Sequence, residues 1–132
     1  MCGIVGYVGP KPVLDVLIPG LAHLEYRGYD SAGVALNRGN TLEVIKKSGR
    51  ISDLKDAVAT VVPEGVISGI GHTRWATHGA PNTINAHPQV DSSGDVVVVH
   101  NGIVENWVQL KKSLVESGRD FVRIRKSQFA WL

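Results

Sequence analysis

This sequence predicts an α+β fold built on a mostly antiparallel sheet. Three observations carry that expectation. Short runs rich in β-branched residues stand at Ile4–Val8 and Val96–His100. Two apolar runs flank a turn-forming Asn37-Arg38-Gly39-Asn40 at hairpin spacing. Stretches with helical spacing lie between and around these candidate strands.

Taken in order, Ile4 to Val8 reads as a buried strand that starts almost at the terminus and is closed by Gly9-Pro10. From Val13 to Tyr26 the residues Val13, Leu14, Leu17, Leu21 and Leu24 recur at helical spacing. Pro19-Gly20 interrupts them, which predicts a kink or two short helices. Gly33–Leu36 and Leu42–Ile45 form the hairpin, and Ser52 is placed to cap a helix over Leu54–Val61, stopped by Pro63. Val66–Gly71 and Val96–His100 read as central strands, the latter a run of four valines. Between them, Thr73–Gly94 is dense in Gly, Pro, Asn, Asp and Ser, and long ordered loops of this kind usually carry function. Glu105–Glu116 is an amphipathic helix with Val108, Leu114 and Val115 on its apolar face and Gly118 at its C-terminal end.

Composition limits the partners. A chain of 132 residues, 43% hydrophobic and 20% charged, has the size and balance of one globular domain. Its 14 basic and 12 acidic residues give a net charge of +2, too even to argue for nucleic acid or an anionic membrane, so a small-molecule partner is expected. No apolar run reaches the 18 or so residues that span a bilayer, no signal-peptide pattern opens the chain, and one cysteine cannot close an intramolecular disulfide; a cytoplasmic location is expected.

That cysteine, Cys2, directly follows Met1. Removal of Met1 would leave a thiol, ordinarily titrating at about 8.5, next to an α-amine of about 7.7 to 8.0, so the amine can take the thiol proton without a second side chain. Such an aminothiol is a self-contained nucleophile.

Five blocks in register then carry a resemblance: Cys2-Gly3-Ile4-Val5-Gly6, Leu24 to Gly33, Gly71 to Gly79, Asn85-Ala86-His87-Pro88 and His100 to Asn106. From Cys2 to about Asp120 the sequence resembles the class II glutamine amidotransferases, specifically the glutamine:fructose-6-phosphate aminotransferase (glucosamine-6-phosphate synthase) family. The resemblance implies an N-terminal-nucleophile (Ntn) hydrolase fold, an αββα sandwich, of which residues 1–132 are expected to form a partial glutaminase domain, incomplete at the C-terminus and without isomerase domains. It also implies that Cys2 attacks the side-chain amide of glutamine, with its own α-amine as base, and that ammonia passes to fructose 6-phosphate through the absent isomerase domains. A homodimer formed by strand pairing is a further expectation.

The same resemblance assigns roles. Asn101 and Gly102 match the oxyanion hole, a backbone N–H beside a side-chain amide. Taken alone, they read as a turn at a strand end. Arg74 matches the anchor for the α-carboxylate of glutamine, a task suited to a planar guanidinium, with Thr77 and His78 on the same loop and Trp75 closing over the site. Arg27, Tyr29 and Asp30 match supporting residues near the nucleophile, and His87 belongs to the same supporting set. His78 and His87 lack a second cysteine and acidic partners at ligand spacing, so no metal and no cofactor are expected.

The departure is at Arg123-Ile124-Arg125-Lys126-Ser127-Gln128, where the family has an acidic, hydroxyl-rich block. Lys126 falls where an aspartate should bind the α-ammonium of glutamine, and a short frame disturbance in the coding DNA would explain the exchange. Two other readings stay open: an Ntn amidotransferase with a different acceptor, such as phosphoribosyl pyrophosphate, and an inactive fragment or non-catalytic interaction domain.

Overall fold

The computed structural model describes residues 2–61, 65–66, 68–76 and 80–119. Its main sheet has four strands: β1 (Gly3–Val8), β2 (Ser31–Asn37), β3 (Leu42–Ser48) and β4 (Ser68–Arg74). They lie in the order β1-β4-β2-β3, every pair antiparallel. The expected hairpin is β2–β3, and Gly39 at φ +83° supplies the left-handed residue its turn requires. As expected, β4 is internal, between β1 and β2.

Period-two alternation sends Val5, Tyr7, Val34, Leu36 and Ile45 to one face of this sheet, where they pack with Val13, Leu17 and Leu21 of α1 (Val13–Leu24) and Ile51, Leu54 and Val58 of α2 (Ile51–Val58). Glycines set the spacing of these layers. A Cβ on Gly69 would stand 2.7 Å from the Ala35 carbonyl oxygen and 2.9 Å from Val13, and one on Gly71 would stand 2.8 Å from Leu21.

Two helix expectations are corrected. Pro19 lies inside one helix, α1, which is not divided into two short ones and runs on into a 3₁₀ turn at Glu25–Arg27. Pro in a helix costs about 3 kcal/mol, whereas burying Val13, Leu17 and Leu21 contributes roughly 1.5–3 kcal/mol each, so packing wins over the local preference. Ser52 is not the cap of α2: that helix starts at Ile51, where the Asp53 carboxylate accepts from the Arg50 N–H at 2.7 Å and the Glu25 carboxylate from the Ile51 N–H at 3.1 Å. It ends at Val58, short of the expected Val61.

Against the opposite face lies the segment that carries His87, whose ring stacks on His72 and whose carbonyl oxygen faces Gly33; it leads into a ribbon of β5 (Gln89–Val90) and β6 (Val97–Val98). Val96–His100 is therefore not a central strand of the main sheet. Within the described residues it pairs on one side alone, and Val96 and Val98 are 56% and 39% exposed. The last helix, α3 (Trp107–Glu116), leaves Val108, Leu114 and Val115 exposed rather than buried. Its end is as expected: Gly118 at φ +79° lets the Arg119 N–H reach the Leu114 carbonyl and the Gly118 N–H reach that of Val115, both at 3.0 Å. No helix among the described residues is long and apolar enough to cross a membrane.

Candidate active site

The pairing Gly3–Thr73–Ala32 puts the start of β1, the end of β4 and the start of β2 at one end of the sheet. Cys2 sits there. The Thr73 hydroxyl holds the Gly3 N–H at 3.1 Å, anchoring the residue that follows the thiol. The Cys2 Sγ accepts from the Trp75 N–H at 3.4 Å and donates to the Trp75 carbonyl at 3.8 Å. Gly28 makes that approach possible: a Cβ there would lie 2.7 Å from the Arg74 carbonyl carbon and 3.0 Å from the Trp75 nitrogen.

Asn101 arrives from the far side of the sequence. Its Nδ2 donates to the Cys2 carbonyl at 3.1 Å, and its Oδ1 lies 2.9 Å from His72 Nε2. Gly102 follows with φ +156°, a Cβ on it standing 3.0 Å from the His100 ring. Nucleophile candidate and oxyanion-hole candidate thus touch across 99 positions of sequence.

Arg74 is only 1% exposed. Its Nη1 lies 3.9 Å from Asp30 Oδ1 and donates to the Ala80 carbonyl at 3.2 Å, where Asn85 Nδ2 also donates at 2.7 Å. Burial lowers the Arg74 pKa from its usual value, opposed by the Asp30 carboxylate and by Cys2. Asp30 ties the corner together. It accepts from the Ala76 N–H and the Ser31 hydroxyl, while its own N–H donates to the Arg74 carbonyl. Tyr29 meets Trp75 edge to face at 5.1 Å, and these two with Asp30, Ala76 and Pro81 line a cavity of about 310 Å³.

Of the residues expected at the site, Cys2, Asn101, Gly102, Arg74, Trp75, Tyr29 and Asp30 come together at this end of the sheet. Arg27 stands beside Gly28 at the close of the 3₁₀ turn, and His87 is one ring removed, against His72. Thr77, His78 and Lys126 lie outside the described residues. No three His, Cys, Asp or Glu side chains among the described residues are grouped to hold a metal ion.

Sequence reasoning missed His72. It is fully buried in β4, on the same face as Arg74, and stacks on His87 with ring centroids 4.5 Å apart. Burial pushes His72 down to about 4, against the raising effect of Asn101, and His87 down to about 3 through burial and the neighbouring His72. The available signal was period two: His72 and Arg74 alternate along one strand.

No protein-family model matches the sequence. Curated relatives do. The chain is 54% identical over 121 residues to the glutamine–fructose-6-phosphate aminotransferase [isomerizing] of Thermococcus kodakarensis, and 56% identical over 118 residues to that of Symbiobacterium thermophilum. The chain is homologous to the N-terminal part of the glutamine–fructose-6-phosphate aminotransferases. These alignments cover 92% and 89% of this chain but only 20% and 19% of the relatives, so it spans about one fifth of their length. Among solved structures, a glutamine phosphoribosylpyrophosphate amidotransferase from B. subtilis superposes with a TM-score of 0.73 at 25% identity, over 98% of this chain and 28% of that one. The allosteric regulatory enzyme of purine biosynthesis superposes with a TM-score of 0.74 at 28% identity, over 92% of this chain and 26% of that one. The fold is the α+β Ntn type shared with these amidotransferases.

Proposed function

We propose that residues 1–132 are part of a glutaminase domain that hydrolyses glutamine at Cys2 and supplies ammonia for converting fructose 6-phosphate to glucosamine 6-phosphate. The observation that carries the reading is the 3.1 Å hydrogen bond from Asn101 Nδ2 to the Cys2 carbonyl, which sets an amide donor beside the candidate nucleophile. Similarity above 50% to aminotransferases of fructose 6-phosphate supports this acceptor over others.

With Met1 removed, the Cys2 amine takes the thiol proton and Sγ attacks the side-chain amide carbon of glutamine. The oxygen becomes negative, and the second Nδ2 hydrogen of Asn101, with the Gly102 N–H, holds it. The amine returns its proton to the departing nitrogen, ammonia leaves, and water cleaves the thioester to give glutamate. Arg74 receives the α-carboxylate by exchanging the Ala80 carbonyl for it, with Thr77, His78 and Trp75 completing the glutamine site; Asp30, Tyr29, Arg27 and His87 keep the surrounding corner in place. The chemistry needs no cofactor or metal, and a free catalytic thiol suits the reducing cytoplasm.

Ammonia and glutamate release by the purified chain tests the reading. Cys2→Ser is expected to lower the rate about a thousandfold or more, and Asn101→Ala to lower kcat by roughly 10²–10³. Equal rates in wild type and Cys2→Ser would refute it.

A further inference from the structure

An asparagine amide has two ends of nearly equal shape and opposite chemistry. Only its NH₂ end can hold an oxyanion; turned over, it would set an acceptor oxygen against a developing negative charge. The described contacts decide which way Asn101 faces. The Cys2 carbonyl can only accept, so the amide end 3.1 Å from it is the NH₂. The other end, Oδ1, then faces His72 Nε2 at 2.9 Å and needs a donor there. Of the two neutral tautomers of His72, only Nε2–H supplies that donor.

We propose that His72 is a positioning residue whose Nε2–H fixes the Asn101 amide with its NH₂ toward Cys2, so that the oxyanion donor is set before glutamine arrives. The inference rests on the glutaminase reading and adds to it a residue outside the substrate site. The ring is well held for this task. It lies in an internal strand, fully buried, with His87 stacked at 4.5 Å and an interplanar angle of 33°. Gly33, its neighbour in β2, has no side chain, and a Cβ there would collide with the His87 carbonyl oxygen, so the segment that carries the stacking ring can lie directly on the sheet. His72 is also neutral near pH 7, because burial resists its protonation, which leaves the oxyanion hole uncharged before reaction.

Two measurements on the full chain test this. Nitrogen-15 NMR of histidine-labelled protein reads the His72 tautomer without reference to activity: Nε2–H is expected, and Nδ1–H would overturn the proposal. Kinetics supply the second readout. His72→Leu is expected to lower kcat by 10- to 100-fold with KM within about twofold, because binding through Arg74 is untouched. His72→Gln, whose amide can donate to the same oxygen, is expected to restore most of the rate and also serves if the leucine variant fails to fold. His72→Leu with Asn101→Ala is expected to be no slower than Asn101→Ala alone. Multiplying effects in the double variant, or a glutamine variant as slow as the leucine one, would overturn the proposal. Normal turnover that depends on Cys2, with such multiplying effects, sinks the positioning role and leaves the glutaminase reading standing. An inactive wild type that no electrophilic glutamine analogue modifies at Cys2 sinks both.

Discussion

Gly28 shows how single positions set this site. With the Arg74 carbonyl carbon 2.7 Å and the Trp75 nitrogen 3.0 Å from where its Cβ would stand, Gly28→Ala must push the backbone that donates to the Cys2 sulfur. We expect it to cost roughly 1–3 kcal/mol in denaturant unfolding, with a larger proportional loss of glutaminase rate than of stability. The His72–His87 pair makes a pH prediction. Both are held well below the ordinary 6.5, at about 4 and about 3, so the unfolded chain binds more protons between those values. Their contribution to stability is whole above about pH 6.5 and is lost as pH falls toward 4 and 3, with a slope of up to about 1.4 kcal/mol per pH unit for each. Urea midpoints measured from pH 7 to 4 should fall, and fall less steeply in His87→Gln. Lys126→Asp is expected to lower the KM for glutamine, because the family resemblance sets position 126 where an aspartate would meet the α-ammonium, and a lysine about 4 Å from an ammonium repels it by roughly 1 kcal/mol even in water; an unchanged KM would contradict that role for position 126. Cys2 stood out as a lone cysteine directly after Met1, whereas Arg74 and the Asn101-Gly102 pair were expected at the site through the family resemblance alone, since by itself Asn101-Gly102 reads as a turn. His72 was not, because a lone histidine in a strand carries no mark until Asn101 is brought to it from 29 positions away.

Among elements, β4 is closely constrained at two glycines. Gly69 faces a backbone carbonyl and Gly71 a leucine side chain that can turn aside. Gly69→Ala should therefore destabilise more than Gly71→Ala in thermal unfolding, and the reverse order would contradict the account of how α1 seats on the sheet. The hairpin and the internal place of β4 were readable from alternation and turn chemistry. The unbroken α1 was not, since Pro19 argues locally against it and only the sheet beneath Val13, Leu17 and Leu21 overrides that argument. The cap of α2 was missed for a related reason: Glu25, which accepts from the Ile51 N–H, is 26 positions distant. Four valines in a row predicted a central strand, but a run of this kind states only that a strand prefers burial, and the neighbours that would bury it come from elsewhere in the fold.

At the scale of the molecule, α1 and α2 pack on one face of the main sheet, and among the described residues the segment from Ala80 to His87 meets the other through Arg74, His72 and Gly33. A cavity of about 440 Å³ lies beside this sheet, lined in part by Val8, Leu42, Ile70 and Val97. With β1 at the edge of the sheet among the described residues and Val8 77% exposed, the isolated chain should self-associate through that edge. Val8→Lys should raise the monomer fraction in sedimentation velocity; an unchanged distribution would place the contact elsewhere. At the other end of the sheet, removal of Met1 would set a terminal aminothiol against the Asn101 amide donor. Treating the purified chain with an electrophilic glutamine analogue and mapping the adduct by mass spectrometry tests this arrangement. One adduct is expected, on Cys2, in protein that has lost Met1. Modification at another residue, or a retained Met1 in protein that still releases ammonia from glutamine, would contradict it.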